Sequence, residues 1–175
     1  PSFDFVELVQ AAKTIVNEKR VLLLPNSRTA LAVTVTKEAD VKIIGHLGDV
    51  SRAISNLLEN GIEATENAGS VNVQISGDTN SVTIAVSDDG KGIPAHLLRR
   101  IGVKGFSFGK SGSASGSGLG VFQAKSAVEA AGGQFVVRSR EGEGTSIKLV
   151  FPVDQPSATE NNRSVPHRNS EASRL

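Results

Sequence analysis

The chain reads as a mixed α/β domain, and three observations carry that reading. Segments 71–76 with 82–87, and 134–140 with 145–151, are β-rich pairs joined by short turn-forming stretches, the pattern of antiparallel hairpins. Segments 4–18, 49–66 and 119–131 carry their apolar residues at helical rather than alternating intervals. At 175 residues and 38% hydrophobic content, there is chain enough for one sizeable core.

Taken in order, Asp4 and Glu7 have capping-box spacing, with Asp in place of the usual Ser or Thr. Leu8, Val9, Ala12, Ile15 and Val16 then recur at helical intervals. Val21 to Leu24 is an apolar run expected to form a short strand, stopped by Pro25-Asn26-Ser27. Leu31 to Thr36 and Val41 to Ile44 are strand-like through their β-branched content. Gly45 to Gly48 breaks the pattern before the helix of 49–66. The first hairpin turns at Gly77-Asp78-Thr79-Asn80 and the second at Glu141-Gly142-Glu143-Gly144. Between them a helix should begin near Leu119, run to Ala131 and stop at Gly132-Gly133.

Residues 102–118 are rich in glycine and serine and hold Lys104, Phe106, Phe108 and Lys110. A plain flexible loop is one reading. Long loops of this kind inside a compact domain are uncommon, however, and are often lids or binding loops. From Asp154 the chain turns polar and aperiodic, so a domain of 1–153 followed by a disordered tail of 154–175 is expected. A formal charge of +1 gives no reason to expect nucleic acid or an acidic membrane surface as partner. No apolar run is long enough to span a bilayer. Without cysteine there is no disulfide, thiolate metal site or cysteine nucleophile, which is compatible with the cytoplasm. Methionine is absent even at position 1, and an excised piece of a longer protein is the expected reading.

Three motifs carry chemistry. Asn56 and Asn60 stand at i and i+4, so they share a helix face while Ile54, Leu57, Leu58 and Ile62 pack elsewhere. Two amides at this spacing can hold a metal ion or a water without adding charge, although many helical asparagines are simply solvated. Gly116-Ser117-Gly118-Leu119-Gly120 runs into a helix, where backbone N–H groups and the helix N-terminus suit phosphate. It matches neither the P-loop nor the dinucleotide fingerprint. Asp88 ends a strand and opens Asp88-Asp89-Gly90-Lys91-Gly92-Ile93. Such a carboxylate can accept a hydrogen bond from an exocyclic amine, and the alternative is an ordinary β-turn.

In this order the motifs resemble the ATP-binding superfamily of type II topoisomerases, MutL-type repair proteins, heat-shock chaperones and histidine kinases. The chain looks most like the catalytic, ATP-binding domain of a bacterial sensor histidine kinase. Ser55 to Thr65 resembles the N box, Asp88 to Pro94 the first glycine box and Gly116 to Val121 the second. Gly132-Gly133 and Gly142-x-Gly144-Thr145 match the end of the pattern, and the resemblance runs from about Phe3 to Pro152. It implies a two-layer α/β sandwich, with a mixed, mostly antiparallel sheet, helices on one face and a mobile ATP lid over 97–118.

The resemblance also implies a site for ATP and Mg²⁺. Asn60 would bind the Mg²⁺ that bridges the phosphates, and Asn56 would line the same site. Asp88 would recognise the adenine amino group, supported by Thr145 through water. Gly90 and Gly92 would shape the adenine wall beside Ile93. Gly116, Gly118, Leu119 and Gly120 would bring lid and helix close to the phosphates. Phe106 or Phe108 would anchor the lid, and Lys110, with Lys104 second, would meet the terminal phosphates. Asn56, Asn60 and Lys110 form the implied catalytic set.

Asn56 separates transfer from hydrolysis. The ATPase branches carry a glutamate at this position as general base for water, and an amide cannot take that proton at neutral pH. Glu59 is adjacent to Asn60 and points about 100° away on the helix, so it is a poor substitute. Slow hydrolysis is therefore expected, with phosphoryl transfer relying on positioning and charge stabilisation. Glu63 stands where many relatives carry Lys or Arg, which throws phosphate neutralisation onto Mg²⁺ and the lid. None of His46, His96 and His167 has the sequence surroundings of a phosphoacceptor. The expectation is a catalytic module of a two-component sensor kinase, monomeric and cytoplasmic, acting on a histidine-bearing dimerisation domain outside this chain, with a response regulator downstream. Membrane anchoring of a parent protein stays open. The competing readings are a nucleotide-sensing regulatory module without transfer and an ATPase, the latter disfavoured by Asn56.

Overall fold

The computed structural model describes residues 1–23, 25–108 and 118–154. Strand β1 (Ser2–Asp4) leads into helix α1 (Phe5–Leu22), followed by β2 (Arg28–Lys37), β3 (Lys42–Ile44) and helix α2 (Leu47–Ala64). Strands β4 (Ala68–Gly77) and β5 (Ser81–Asp88) form the first hairpin, and a 3₁₀ turn covers Ala95–Arg100. Helix α3 (Gly120–Ala130) then precedes the second hairpin, β6 (Gln134–Arg140) and β7 (Gly144–Pro152).

Five strands make the main sheet in the order β2-β4-β5-β7-β6. Only β2 and β4 run parallel, and the other three pairings are antiparallel. Strands β1 and β3 form a separate antiparallel pair. Alternation along the strands splits the sheet into two faces. Val71, Val73, Ile75, Val82, Ile84, Val86, Ile147, Leu149 and Phe151 are buried, together with Leu8 and Val16 of α1, Ile54 and Leu58 of α2, and Val128 of α3. The helices thus cover one face, and α2 contacts both α1 and α3. The other face carries polar pairs such as Thr34 with Asn72, 3.0 Å apart, and Ser87 with Ser146, 2.8 Å apart. The mixed, mostly antiparallel sheet with helices on one face is as expected.

One element differs from expectation. Val21 and Leu22 continue α1 instead of forming a strand, and they are largely exposed, at 84% and 73%. A short apolar run does not distinguish strand from helix by pattern alone. Here Lys19 and Arg20 complement the carbonyl end of the helix, and Leu23 N–H closes it by donating to Lys19 O at 3.1 Å. At the other end Glu7 accepts from Asp4 N–H at 2.8 Å, one half of the expected capping box. The expected tail, beyond Asp154, lies outside the described residues.

Candidate functional site

A cleft of about 440 Å³ opens between α2, the start of α3 and the neighbouring ends of β5 and β7. That volume suits a small-molecule ligand. Its wall on α2 exists because Val50, Ala53, Ile54, Leu57, Leu58 and Gly61 are buried, which leaves Asn56 and Asn60 half-buried at the edge of the apolar stripe. Asn56 Nδ2 points at the first turn of α3, 3.5 Å from Gly120 O and 3.4 Å from Gln123 Oε1. A Cβ on Gly120 would stand 3.2 Å from Asn56 Cβ, so glycine here lets α3 start against α2.

At the opposite end the sheet supplies the side chains. Asp88 on β5 is the cross-strand partner of Thr145 on β7, and Thr145 is the partner of Ser139 on β6. The three therefore project from one face, continuing the row of Val86, Ile147 and Val137 that faces the helices. Asp88 Oδ1 accepts from Gly90 N–H at 2.9 Å. Burial pushes the Asp88 carboxyl above the usual carboxylate range; the N–H groups of Gly90 and Thr145 pull it down, and the charge of Asp89 pushes it further up. Ser139 Oγ joins three neighbours: it donates to Gly144 O at 2.9 Å, accepts from Ile93 N–H at 2.8 Å and meets Thr145 Oγ1 at 2.8 Å.

The segment after Asp88 is pinned on both sides. Lys91 N–H donates to Ala64 O at the end of α2 at 3.0 Å, and Lys91 O accepts from Gly142 N–H in the β6–β7 turn at 2.7 Å. Gly92 has φ +66°, and a Cβ there would lie 2.0 Å from Arg140 O, so no other residue fits.

Of the residues singled out in the sequence, Asn56, Asn60, Asp88, Gly92, Ile93, Gly118, Leu119, Gly120 and Thr145 line this one cleft. Gly90 stands behind it, its N–H holding Asp88. Lys104 is exposed and outside the lining. Lys110 and Gly116 lie outside the described residues. Phe106 and Phe108 both line the cleft, and the Arg100 guanidinium sits 4.2 Å above the Phe106 ring. Glu59 also reaches the lining, with its carboxylate in an ion pair with Lys19 of α1. Sequence reasoning missed Lys91 and Gln123 in the wall and Ser139 behind it. The alternation Phe135, Val137, Ser139 was the available signal for Ser139, since it sets that hydroxyl on the helix-facing side.

Residues 45–155, well over half of the chain, match the family described as histidine kinase-, DNA gyrase B-, and HSP90-like ATPase. The chain belongs to this family. Its fold is accordingly that of an ATP-binding domain. Sporulation kinase A of Bacillus subtilis is 30% identical over 142 residues, which cover 80% of this chain and 23% of that protein. The alginate biosynthesis sensor protein KinB of Pseudomonas aeruginosa is 34% identical over 104 residues, covering 59% of this chain and 17% of KinB. The chain thus spans about a fifth of the length of these curated relatives. Among solved structures, the mycobacterial sensor histidine kinase MprB superposes with a TM-score of 0.70 at 26% identity, covering 87% of this chain and 98% of that one. The catalytic domain of the histidine kinase ThkA, at 22% identity, shows the same fold with a TM-score of 0.68 over 87% of this chain and 96% of its own. Among the described residues no helix is long and apolar enough to cross a membrane.

Proposed function

We propose that this chain is the Mg-ATP-binding catalytic module of a two-component sensor histidine kinase, passing the γ-phosphate to a histidine on a separate dimerisation domain. The observation that carries the proposal is the pairing of Asn56 and Asn60 on one wall of a cleft whose far end is marked by Asp88. The base lies at the Asp88 end, its amino group donating to that carboxylate, with Thr145 beside it. The phosphates extend toward α2 and the start of α3, where N–H groups at the N-terminus of α3 favour negative charge.

The donor set fits Mg²⁺. This ion takes few protein oxygens and completes its shell with phosphate and water. Among the described residues no three His, Cys, Asp or Glu side chains gather into a cage that would favour another metal. Asn60 Oδ1 would be the protein ligand, with Asn56 beside it. Held there by Asn60, the ion would supply positive charge that offsets the charge developing on transfer. With an amide at position 56 and Glu59 tied to Lys19, neither side chain is placed to deprotonate a water. The terminal phosphate is instead left for an incoming imidazole, whose ring nitrogen bonds to the γ-phosphorus while the bond to the β–γ bridging oxygen breaks and ADP leaves.

In this reading Lys110, and Lys104 after it, meet the terminal phosphates. The isolated chain is a cytoplasmic monomer, and the phosphohistidine formed on the dimerisation domain supplies a response regulator. The names of the curated relatives, sensor proteins and kinases, support transfer over nucleotide sensing alone. The test is incubation with γ-labelled ATP, Mg²⁺ and a separately made histidine-bearing dimerisation domain. Acid-labile, base-stable label on that domain is expected; ATP binding with no label on it would favour a regulatory role.

A further inference from the structure

The cleft wall on α2 is acidic where the proposed ligand is anionic. Asn56, Glu59, Asn60 and Glu63 fall at i, i+3, i+4 and i+7, one face of the helix, and all four line the cleft. Asp88 adds a further carboxylate at the far end, and Lys91 is the only cation among the described lining residues. Glu59 and Glu63 are moreover like charges one turn apart, a pairing that disfavours the helix that carries them. A triphosphate laid along α2 would meet both.

The compensating charge comes from another helix. Lys19 of α1 lies outside the lining, and its ammonium forms an ion pair with the Glu59 carboxylate. The two meet because α1 packs on α2. Their settings are unequal, with the Lys19 side chain 18% exposed and that of Glu59 52%. The aliphatic stem of Lys19 is thus packed between the helices and fixes where its charge stands, while the carboxylate comes to it. A charge in such a partly shielded position is screened by salt less than one on an open surface.

We infer that Lys19 is a positioning residue for nucleotide affinity: from outside the cleft it holds and neutralises the Glu59 carboxylate, so that the phosphates of Mg-ATP can lie along α2 beside Asn60. The inference rests on the proposed placement of the phosphates and adds to it a residue of α1, a helix that contributes nothing to the lining. Mg-ATP is a net anion, and a group outside its coordination shell acts on that net charge. Removing Lys19 therefore repels it and removing Glu59 attracts it, by amounts of similar size and opposite sign. Removing both restores the balance. A role confined to packing α1 on α2 gives another pattern, because charged and uncharged ligands would then be affected alike.

The test uses two probes on the full chain, Mg-ATP by calorimetry and uncharged adenosine by ligand-observed NMR. Lys19→Met keeps the stem and removes the charge. It should weaken Mg-ATP about fivefold at low salt, the upper end for a partly exposed charge, and leave adenosine unchanged. Glu59→Gln should tighten Mg-ATP by a similar factor, and the two substitutions together should return the affinity to that of the unaltered protein. All of these changes should shrink at high salt. Equal weakening of both probes by Lys19→Met, or no weakening of Mg-ATP, would overturn the role given to Lys19. A double variant as weak as Lys19→Met alone would overturn it too, since Lys19 would then not act through Glu59. An unaltered protein that binds Mg-ATP no more tightly than adenosine would instead overturn the phosphate placement, and the inference with it. Should Lys19→Met not fold, Glu59→Gln carries the test: it must tighten Mg-ATP and not adenosine, and an unchanged affinity sinks the inference.

Discussion

At the end of the cleft proposed for the base, Asp88, Thr145 and Ser139 occupy one cross-strand row, and Ser139 closes it with contacts of 2.8 and 2.9 Å. At the end proposed for the phosphates, Asn56 reaches Gly120 and Gln123 across 3.5 and 3.4 Å, from one helix to another. The first arrangement holds its polar groups in place before anything binds, as the selection of one base over another requires. The second is looser at Asn56, whose amide makes only long contacts. On the proposed placement of the nucleotide, selectivity would belong to the sheet and chemistry to the helices, so substitutions at the two ends should fail in different ways.

The largest expected effect is at the looser end. Asn60→Ala removes the proposed metal ligand and should weaken Mg-dependent ATP binding by about 100-fold, the scale seen when a metal site loses a supporting group. Metal-free binding should change little, and calorimetry with and without Mg²⁺ reads the difference. An unchanged Mg²⁺ dependence would move the metal away from Asn60.

Asp88→Asn tests the preorganised end and should cost about tenfold in ATP affinity, because a hydrogen bond to a charged group is lost. The same substitution has an opposite effect on the fold. The Asp88 carboxyl is raised by burial, so the folded state holds its proton more tightly than the unfolded chain. Stability from this group is therefore fully present at pH below the unfolded value and lost as pH rises through the folded one. Asp88→Asn should raise the Tm at neutral pH while lowering affinity, and ATP affinity of the unaltered protein should fall as Asp88 is protonated on acidification. Thermal melts and binding titrations across mildly acidic pH would show both. A Tm that drops on substitution would contradict the burial argument.

The smallest effect is expected for the ion pair that joins α1 to the cleft. Lys19→Ala breaks the contact with Glu59, which is half-exposed, so the loss of stability should not exceed about 1 kcal/mol. Denaturant melts check this. A much larger loss would show that α1 positions the asparagine helix more strongly than its surface setting suggests.

How much of this was legible in the sequence follows from the range of each interaction. The α2 helix, both hairpins and the stop at Gly132-Gly133 depend on local periodicity and turn chemistry, and all were readable. Strand β1 was not, because three residues carry no period and owe their conformation to pairing with β3. Nor was the parallel pairing of β2 with β4, which is a choice of neighbours made across a helix. The end of α1 was misread at Val21 and Leu22, where an apolar run suggested burial that the fold does not provide. In the site, the motif residues were visible since glycines and paired amides are distinctive by type. Ser139 is one serine among many, and only the register that sets it opposite Thr145 gives it a role. Lys91 and Gln123 entered the cleft wall by the same kind of long-range placement.

The measurement that tests the central claim most directly is the fate of the γ-phosphate. With labelled Mg-ATP and a histidine-bearing dimerisation domain, the label can be followed over time as protein-bound phosphohistidine and as free phosphate. An amide at position 56, with Glu59 held by Lys19, predicts label on the histidine and slow release of free phosphate, both lost in Asn60→Ala. Rapid release of free phosphate with no label on the histidine would contradict the account and make this cleft that of an ATPase.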